Sequence, residues 1–172
     1  MGAWEGLMML PSGFAVRVAD RFDAALLRDV MLRCWTGTVA ANSSAYRETP
    51  EDIAREFDAG GAVILLRGEE AVGAGRFHPV PGPVGDARIW VEIKRVGVLK
   101  ALRKLGLGAP LVLAIETEAR ARGCVGVQIG VREDQPRLVT FWEALGYVLA
   151  DDVQLRTVNP LTPPPLTLRK RL

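Results

Sequence analysis

Arg103-Lys104-Leu105-Gly106-Leu107-Gly108-Ala109-Pro110 decides the fold. It stands between an apolar strand pattern, Ile89 to Val98, and a helical pattern with Leu111, Ala114, Ile115 and Ala119 on one face. Two glycines let the backbone turn tightly and approach a ligand with no Cβ in the way. Consecutive N–H groups in such a turn form a concave nest for an anion. Pro110 stands where a helix begins, a position that needs no N–H and suits a fixed φ. The helix N-terminus adds partial positive charge at the same spot. Strand, glycine turn and helix start together predict a pyrophosphate cradle, to which Arg103 or Lys104 adds formal charge.

Spacing excludes two other phosphate motifs. A dinucleotide fingerprint needs a third glycine after Gly106-Leu107-Gly108, where Leu111 stands, and a P-loop needs Gly-Lys-Ser/Thr, which the chain lacks. The pattern that fits is Arg/Gln-x-x-Gly-x-Gly/Ala, entered from a strand ending in valine. In register, the run from Val98 to Gly108 resembles the signature of the GNAT acyltransferase superfamily.

The length of 172 residues fits one domain with a sizeable core, and 49% apolar with 24% charged residues is ordinary for a globular protein. A net charge of +2 gives no case for nucleic acid, and the basic run Arg169-Lys170-Arg171 reads as a solvated strand end. Two cysteines, Cys34 and Cys124, are too few for a disulfide framework, so a reducing cytoplasm is expected. No apolar run is long enough for a membrane span, and Glu5 interrupts a start that lacks a basic signal region. Residues 1–12 read as a short extension, with Met1, Met8 or Met9 as the start, and 13–172 as a single GNAT domain.

Along the chain, Phe14 to Val18 alternates as a strand, and Asp20 caps a helix from Arg21 to Trp35. Thr36 to Arg47 is a small, polar loop. Thr49-Pro50-Glu51-Asp52 starts a second helix that ends at Gly60-Gly61. Ala62 to Arg67 and Ala71 to Phe77 form a hairpin about Gly68, followed by a loop from Pro79 to Gly85. After the glycine turn, a helix runs to Gly123, a strand covers Val125 to Val131, and a helix runs from Pro136 to Leu145. Final strands cover Val148 to Arg156 and Leu166 to Arg171. The order β-α-α-β-β-β-α-β-α-β-β predicts an α/β mixed sheet of about seven strands, mostly antiparallel, with helices on both faces. It is also the GNAT order.

The resemblance implies a gap between two parallel strands that takes the pantetheine arm of acetyl-CoA. The backbone of Val96, Gly97 and Val98 would line it. The N–H groups of Arg103, Lys104, Leu105, Gly106, Leu107, Gly108 and Ala109 would hold the pyrophosphate. A second family motif, Asn-x-x-Ala-x-x-Phe-Tyr-x-x-x-Gly-Phe, is similar to the run from Gln135 to Tyr147, with Gln135 offering an amide and Trp142 replacing tyrosine. An indole N–H donates but is no usable acid, whereas a thiol pKa near ~8.5 lets coenzyme A leave as thiolate. Glu92 matches a family position that serves as general base, which the chemistry requires because an amine is mostly protonated at neutral pH. Trp90, Glu92 and Lys94 alternate onto one face, so Lys94 is placed to pair with Glu92 unless a bulge parts them.

Tyr46 sits in the loop that walls the acceptor pocket in many relatives, as acceptor contact or acid. Trp35 joins it as a substrate contact. His78 is either an acceptor-side residue or a surface histidine. As the only histidine, it makes no metal site. The implied activity is direct transfer of acetyl from acetyl-CoA to a primary amine of a small molecule or peptide, in a ternary complex and without metal. A homodimer is implied by relatives that pair through late strands. The alternative is a catalytically degenerate acyl-CoA-binding module with a sensing role.

Overall fold

The computed structural model describes residues 9–39, 41–156, 158, 160 and 162–172. The starts at Met1 and Met8 lie outside them. Seven strands form one sheet: β1 (Phe14–Val18), β2 (Gly61–Arg67), β3 (Glu70–Pro81), β4 (Ile89–Val98), β5 (Gly126–Val131), β6 (Val148–Leu149) and β7 (Leu166–Arg171). Their spatial order is β1-β2-β3-β4-β5-β7-β6, antiparallel except for the parallel pair β4·β5. The helices are α1 (Ala24–Trp35), α2 (Pro50–Glu56), α3 (Gly108–Ala121) and α4 (Pro136–Ala144). Among the described residues no helix is long and apolar enough to cross a membrane.

Local chemistry sets most element ends. Thr49 accepts from the Asp52 N–H at 3.1 Å and the Asp52 carboxylate accepts from the Thr49 N–H at 2.9 Å, a reciprocal cap that starts α2. Asp20 caps a 3-10 turn at Arg21–Asp23 in the same way, so α1 begins at Ala24, three residues later than the pattern predicts. Asp23 closes that cap while it also binds Arg17 at 2.7 Å.

Two loop boundaries move. The predicted loop at Pro79 to Gly85 is strand as far as Pro81, because beyond Phe77 β3 has β4 as its only strand partner and proline's missing N–H costs no ladder bond on the open side. The predicted strand Val148 to Arg156 shrinks to Val148–Leu149, and the chain from Asp151 to Arg156 turns back across the sheet.

α3 and α4 cover one face through Leu111, Ile115, Trp142 and Leu145, packed on Val63, Phe77, Val91, Ile93 and Val127. α1 and α2 cover the other through Leu27, Val30 and Ile53, packed on Ala62, Ile64 and Ala74. Trp90 packs across Gly126 on the neighbouring strand, where a Cβ would come within 2.4 Å of the indole ring.

Candidate functional site

A defect in β4 opens the sheet. Ala74 pairs with Gly97 and Arg76 with Lys94, so two residues, Arg95 and Val96, oppose the single Gly75. Arg95 is the only described non-glycine residue with positive φ, at 58°. Such a conformation costs about 1–2 kcal/mol and must be held. Glu48 at 3.1 Å and the Ser44 hydroxyl at 2.9 Å bind the Arg95 guanidinium, which also lies 5.3 Å from the Trp35 ring centre. At the bulge the strands part: β4 pairs with β5 through Val91, Glu92 and Ile93, and among the described residues Lys94 to Val98 have no strand partner on that side.

The glycine turn lies at this open end. Lys100–Leu105 forms a 3-10 turn, Gly106 takes φ 71° in the left-handed region, and α3 starts at Gly108. Pro110 is therefore the third helical residue rather than the first, still within the turn whose N–H groups lack helical acceptors. No side chain caps this end and its first turn holds no acid, so the N–H groups of Gly108 and Ala109, which have no helical acceptor, are left for another one. Arg103 does not put its charge over the turn. Its Nε donates to the Val98 carbonyl at 3.1 Å and its Nη2 to the Cys34 carbonyl at 2.6 Å, which straps the turn to the end of α1. Lys104 and Leu105 are exposed.

The α4 residues flank the turn unevenly. A Cβ on Gly108 would stand 3.3 Å from the Phe141 ring, so Phe141 is the aromatic beside the nest. Trp142 is buried, stacked edge-on between Phe141 and Tyr147 in the core. Gln135 precedes α4, half-buried, and makes no capping bond. Tyr147 is core: its hydroxyl donates to buried Glu116 at 3.0 Å, and burial pushes its pKa well up.

Glu92 lies two residues before the bulge and is 2% exposed. Its Oε2 accepts from the Gln128 side chain at 3.0 Å and the Arg156 N–H at 2.7 Å, and its Oε1 faces the His78 Nε2 at 3.7 Å. The expected Glu92–Lys94 pair is absent, because Lys94 reaches Glu56 on α2 at 2.5 Å instead. His78 is buried rather than a surface residue, and its Nε2 has no hydrogen-bond partner. Burial lowers its pKa below the ordinary 6.5, reinforced by Lys94 and Arg156 and opposed by Glu92 and Glu56.

Trp35 and Tyr46 form the wall beside this end, where the Tyr46 hydroxyl donates to the Trp35 carbonyl at 3.3 Å and the Trp35 indole packs over Gly97. Cys34 lies beneath, its thiol pushed by burial to a pKa of about 11. A thiol that rarely ionises is a poor nucleophile.

A charge cluster not evident from the sequence clamps α2 and the preceding loop to the sheet. Arg76, only 3% exposed, bridges Glu48 at 2.5 Å and Glu56 at 3.2 Å, and these two acids also take Arg95 and Lys94. Burial raises the Glu48 pKa, but Arg76 and Arg95 outweigh it and hold the carboxyl below its usual range. The signal was Glu48, one residue past the predicted loop boundary at Arg47.

Residues 25–147 match the acetyltransferase (GNAT) family. The chain belongs to the GNAT family. No curated protein matches it. Solved structures share its fold at low identity. A Streptococcus agalactiae acetyltransferase has TM-score 0.73 and 18% identity, covering 94% of this chain and 100% of its own. PaiA N-acetyltransferase from Thermoplasma acidophilum, in complex with coenzyme A, has TM-score 0.71 and 13% identity, covering 92% and 99%. Arabidopsis thaliana Naa50, in complex with the bisubstrate analogue CoA-Ac-MVNAL, has TM-score 0.64 and 17% identity, covering 92% and 98%. The parted strands and uncapped α3 start of this GNAT protein lie at one end of β4, and Glu92 lies inward from them.

Proposed function

We propose that the protein transfers the acetyl group of acetyl-CoA to a primary amine of a small molecule or peptide, directly and in a ternary complex. The observation that carries this is the strand gap past Ile93 leading to the uncapped start of α3. An unpaired strand edge suits an amide-bearing arm, and free N–H groups at a helix start suit a diphosphate. Both fit acetyl-CoA, which supplies the activated thioester when bound.

In this reading, the backbone of Val96, Gly97 and Val98 pairs with the arm, and the backbone from Arg103 to Ala109 holds the diphosphate. Gln135 adds an amide. Arg103 keeps the turn in shape rather than supplying charge. The main-chain N–H groups by Val98 stabilise the developing oxyanion. Glu92 removes the amine proton, directly or through water, while His78, Trp35 and Tyr46 line the acceptor side. Trp142 supports the cleft from the core.

The test is thiol release from acetyl-CoA on adding primary amines to the wild type and to Glu92→Gln. Amine-dependent release that the variant loses supports the enzyme. Retained acetyl-CoA with no release across a broad amine panel assigns the protein to the non-catalytic binding modules.

A further inference from the structure

On the acceptor side, three cross-strand pairings align four polar residues on one face: His78 with Glu92, Glu92 with Gln128, and Gln128 with Arg169. The segment from Asp152 to Arg156 lies over this row. Asp152 pairs with Arg169 at 3.0 Å, the Gln154 carbonyl accepts from Gln128 at 2.8 Å, and the Arg156 N–H donates to Glu92 at 2.7 Å.

Two cavities lie between this segment and the β3–β4 hairpin. One, of about 360 Å³, is lined by Pro79, Val80, Gln154 and Arg156, where Pro79 follows His78 in the chain and the Arg156 N–H holds Glu92. The other, of about 520 Å³, is lined by Arg88, Arg169 and Arg171 with Asp86 and Asp152. Val84 and Asp152 border both, so they form one groove.

The far end of the groove is built for an anion with a donor beside it. Three guanidinium groups face two carboxylates there. Asp86 takes Arg88 at 2.9 Å and Arg171 at 3.3 Å. Arg169 and Asp152 meet through Nη2 and Oδ2 alone. The Arg169 Nε is buried without an acceptor and the Asp152 Oδ1 without a donor. Buried polar atoms left in this way are costly. The C-terminal residue of a peptide offers the matching pair, a carboxylate and its own N–H.

We propose that the acceptor is a short peptide with a free C-terminal carboxylate, its amine at the His78–Glu92 end and its carboxylate at Arg169 and Arg171. This rests on the acetyltransferase reading above. Glu92 and Arg169 are two strand spacings apart, about 10 Å, which is the reach of an extended tripeptide, about 10 Å. The amine and carboxylate of a free α-amino acid are too close to span it.

The probes are triglycine and triglycine amide, titrated by calorimetry into protein saturated with coenzyme A. A charge-assisted contact predicts binding of triglycine about tenfold or more tighter than the amide. The double variant Arg169→Gln/Arg171→Gln should cut that preference to about twofold. Equal binding of the two probes, binding of neither, or a preference unchanged in the double variant overturns the proposal. The preference needs no turnover. Failure of acetyl-CoA binding and thiol release in the same protein would instead count against the acetyltransferase reading.

Discussion

Replacing Glu92 by glutamine should separate chemistry from folding, and the geometry says why. Among the described residues, two donors, the Gln128 amide and the Arg156 N–H, converge on one oxygen, Oε2. The glutamine carbonyl can occupy that place and keep both bonds. Its NH2 then replaces Oε1 and faces the His78 Nε2, which is buried without a hydrogen-bond partner. Turning a charged acceptor into a neutral one weakens each of these two bonds by about 1 kcal/mol, which together lowers the unfolding free energy by about 2 kcal/mol. Alanine at the same place removes the carboxylate from the buried Gln128 amide, which keeps only the Gln154 carbonyl, and from the part-buried Arg156 N–H, at about 1–3 kcal/mol for the buried one. Loss of a general base lowers turnover about 10²–10⁴-fold, equivalent to about 3–5 kcal/mol of barrier. Urea unfolding followed by tryptophan emission reads the first effect and thiol release reads the second. A glutamine variant within about threefold of wild-type kcat/KM, beside an alanine variant that is strongly destabilised, would show that Glu92 only holds the Arg156 segment and would refute the base assignment.

Three further outcomes follow from particular contacts. His78 is held below its ordinary pKa of 6.5 by burial, so the unfolded chain takes up its proton first as the pH falls. Stability should be fully present above pH 6.5 and decline below it toward the lower folded value, and His78→Gln should flatten that part of the unfolding free energy against pH. Arg103→Lys keeps the charge but cannot make both bonds to the Val98 and Cys34 carbonyls. It should therefore weaken acetyl-CoA binding as much as Arg103→Met does in calorimetry, whereas near wild-type affinity in the lysine variant would restore charge as Arg103's role. Gly126→Ala drives a methyl into the Trp90 ring and should lower the urea midpoint by the equivalent of about 1–3 kcal/mol. An unchanged midpoint would mean that the indole moves freely at this place.

The sequence carried the parts of the fold that local chemistry writes. Thr49, Pro50 and Asp52 form a cap from adjacent residues alone, and the alternation from Ile89 to Val98 marked β4 at both ends. The Gly106–Gly108 turn was legible for the same reason, since a left-handed residue before a helix leaves a glycine. Long-range competition was not legible. Lys94 has Glu92 two residues away but chooses Glu56, 38 residues distant, because α2 folds over that face. Arg103 reads as a loop cation but serves two carbonyls, one of them 69 residues away. The shortening of the strand after Val148 has the same origin, because Gln154 and Arg156 give up sheet pairing to close over Gln128 and Glu92.

Calorimetric titration of acetyl-CoA into the wild type and into Gly108→Glu probes the start of α3 as the diphosphate cradle. Gly108→Ala serves as the packing control, since its Cβ asks Phe141 to give only slightly. The wild type should bind, the alanine variant should bind with modest loss, and glutamate, which brings bulk and negative charge to the start of α3, should abolish binding while the protein stays folded. A wild type that does not bind, or a folded glutamate variant that binds as well as the wild type, would contradict the cradle.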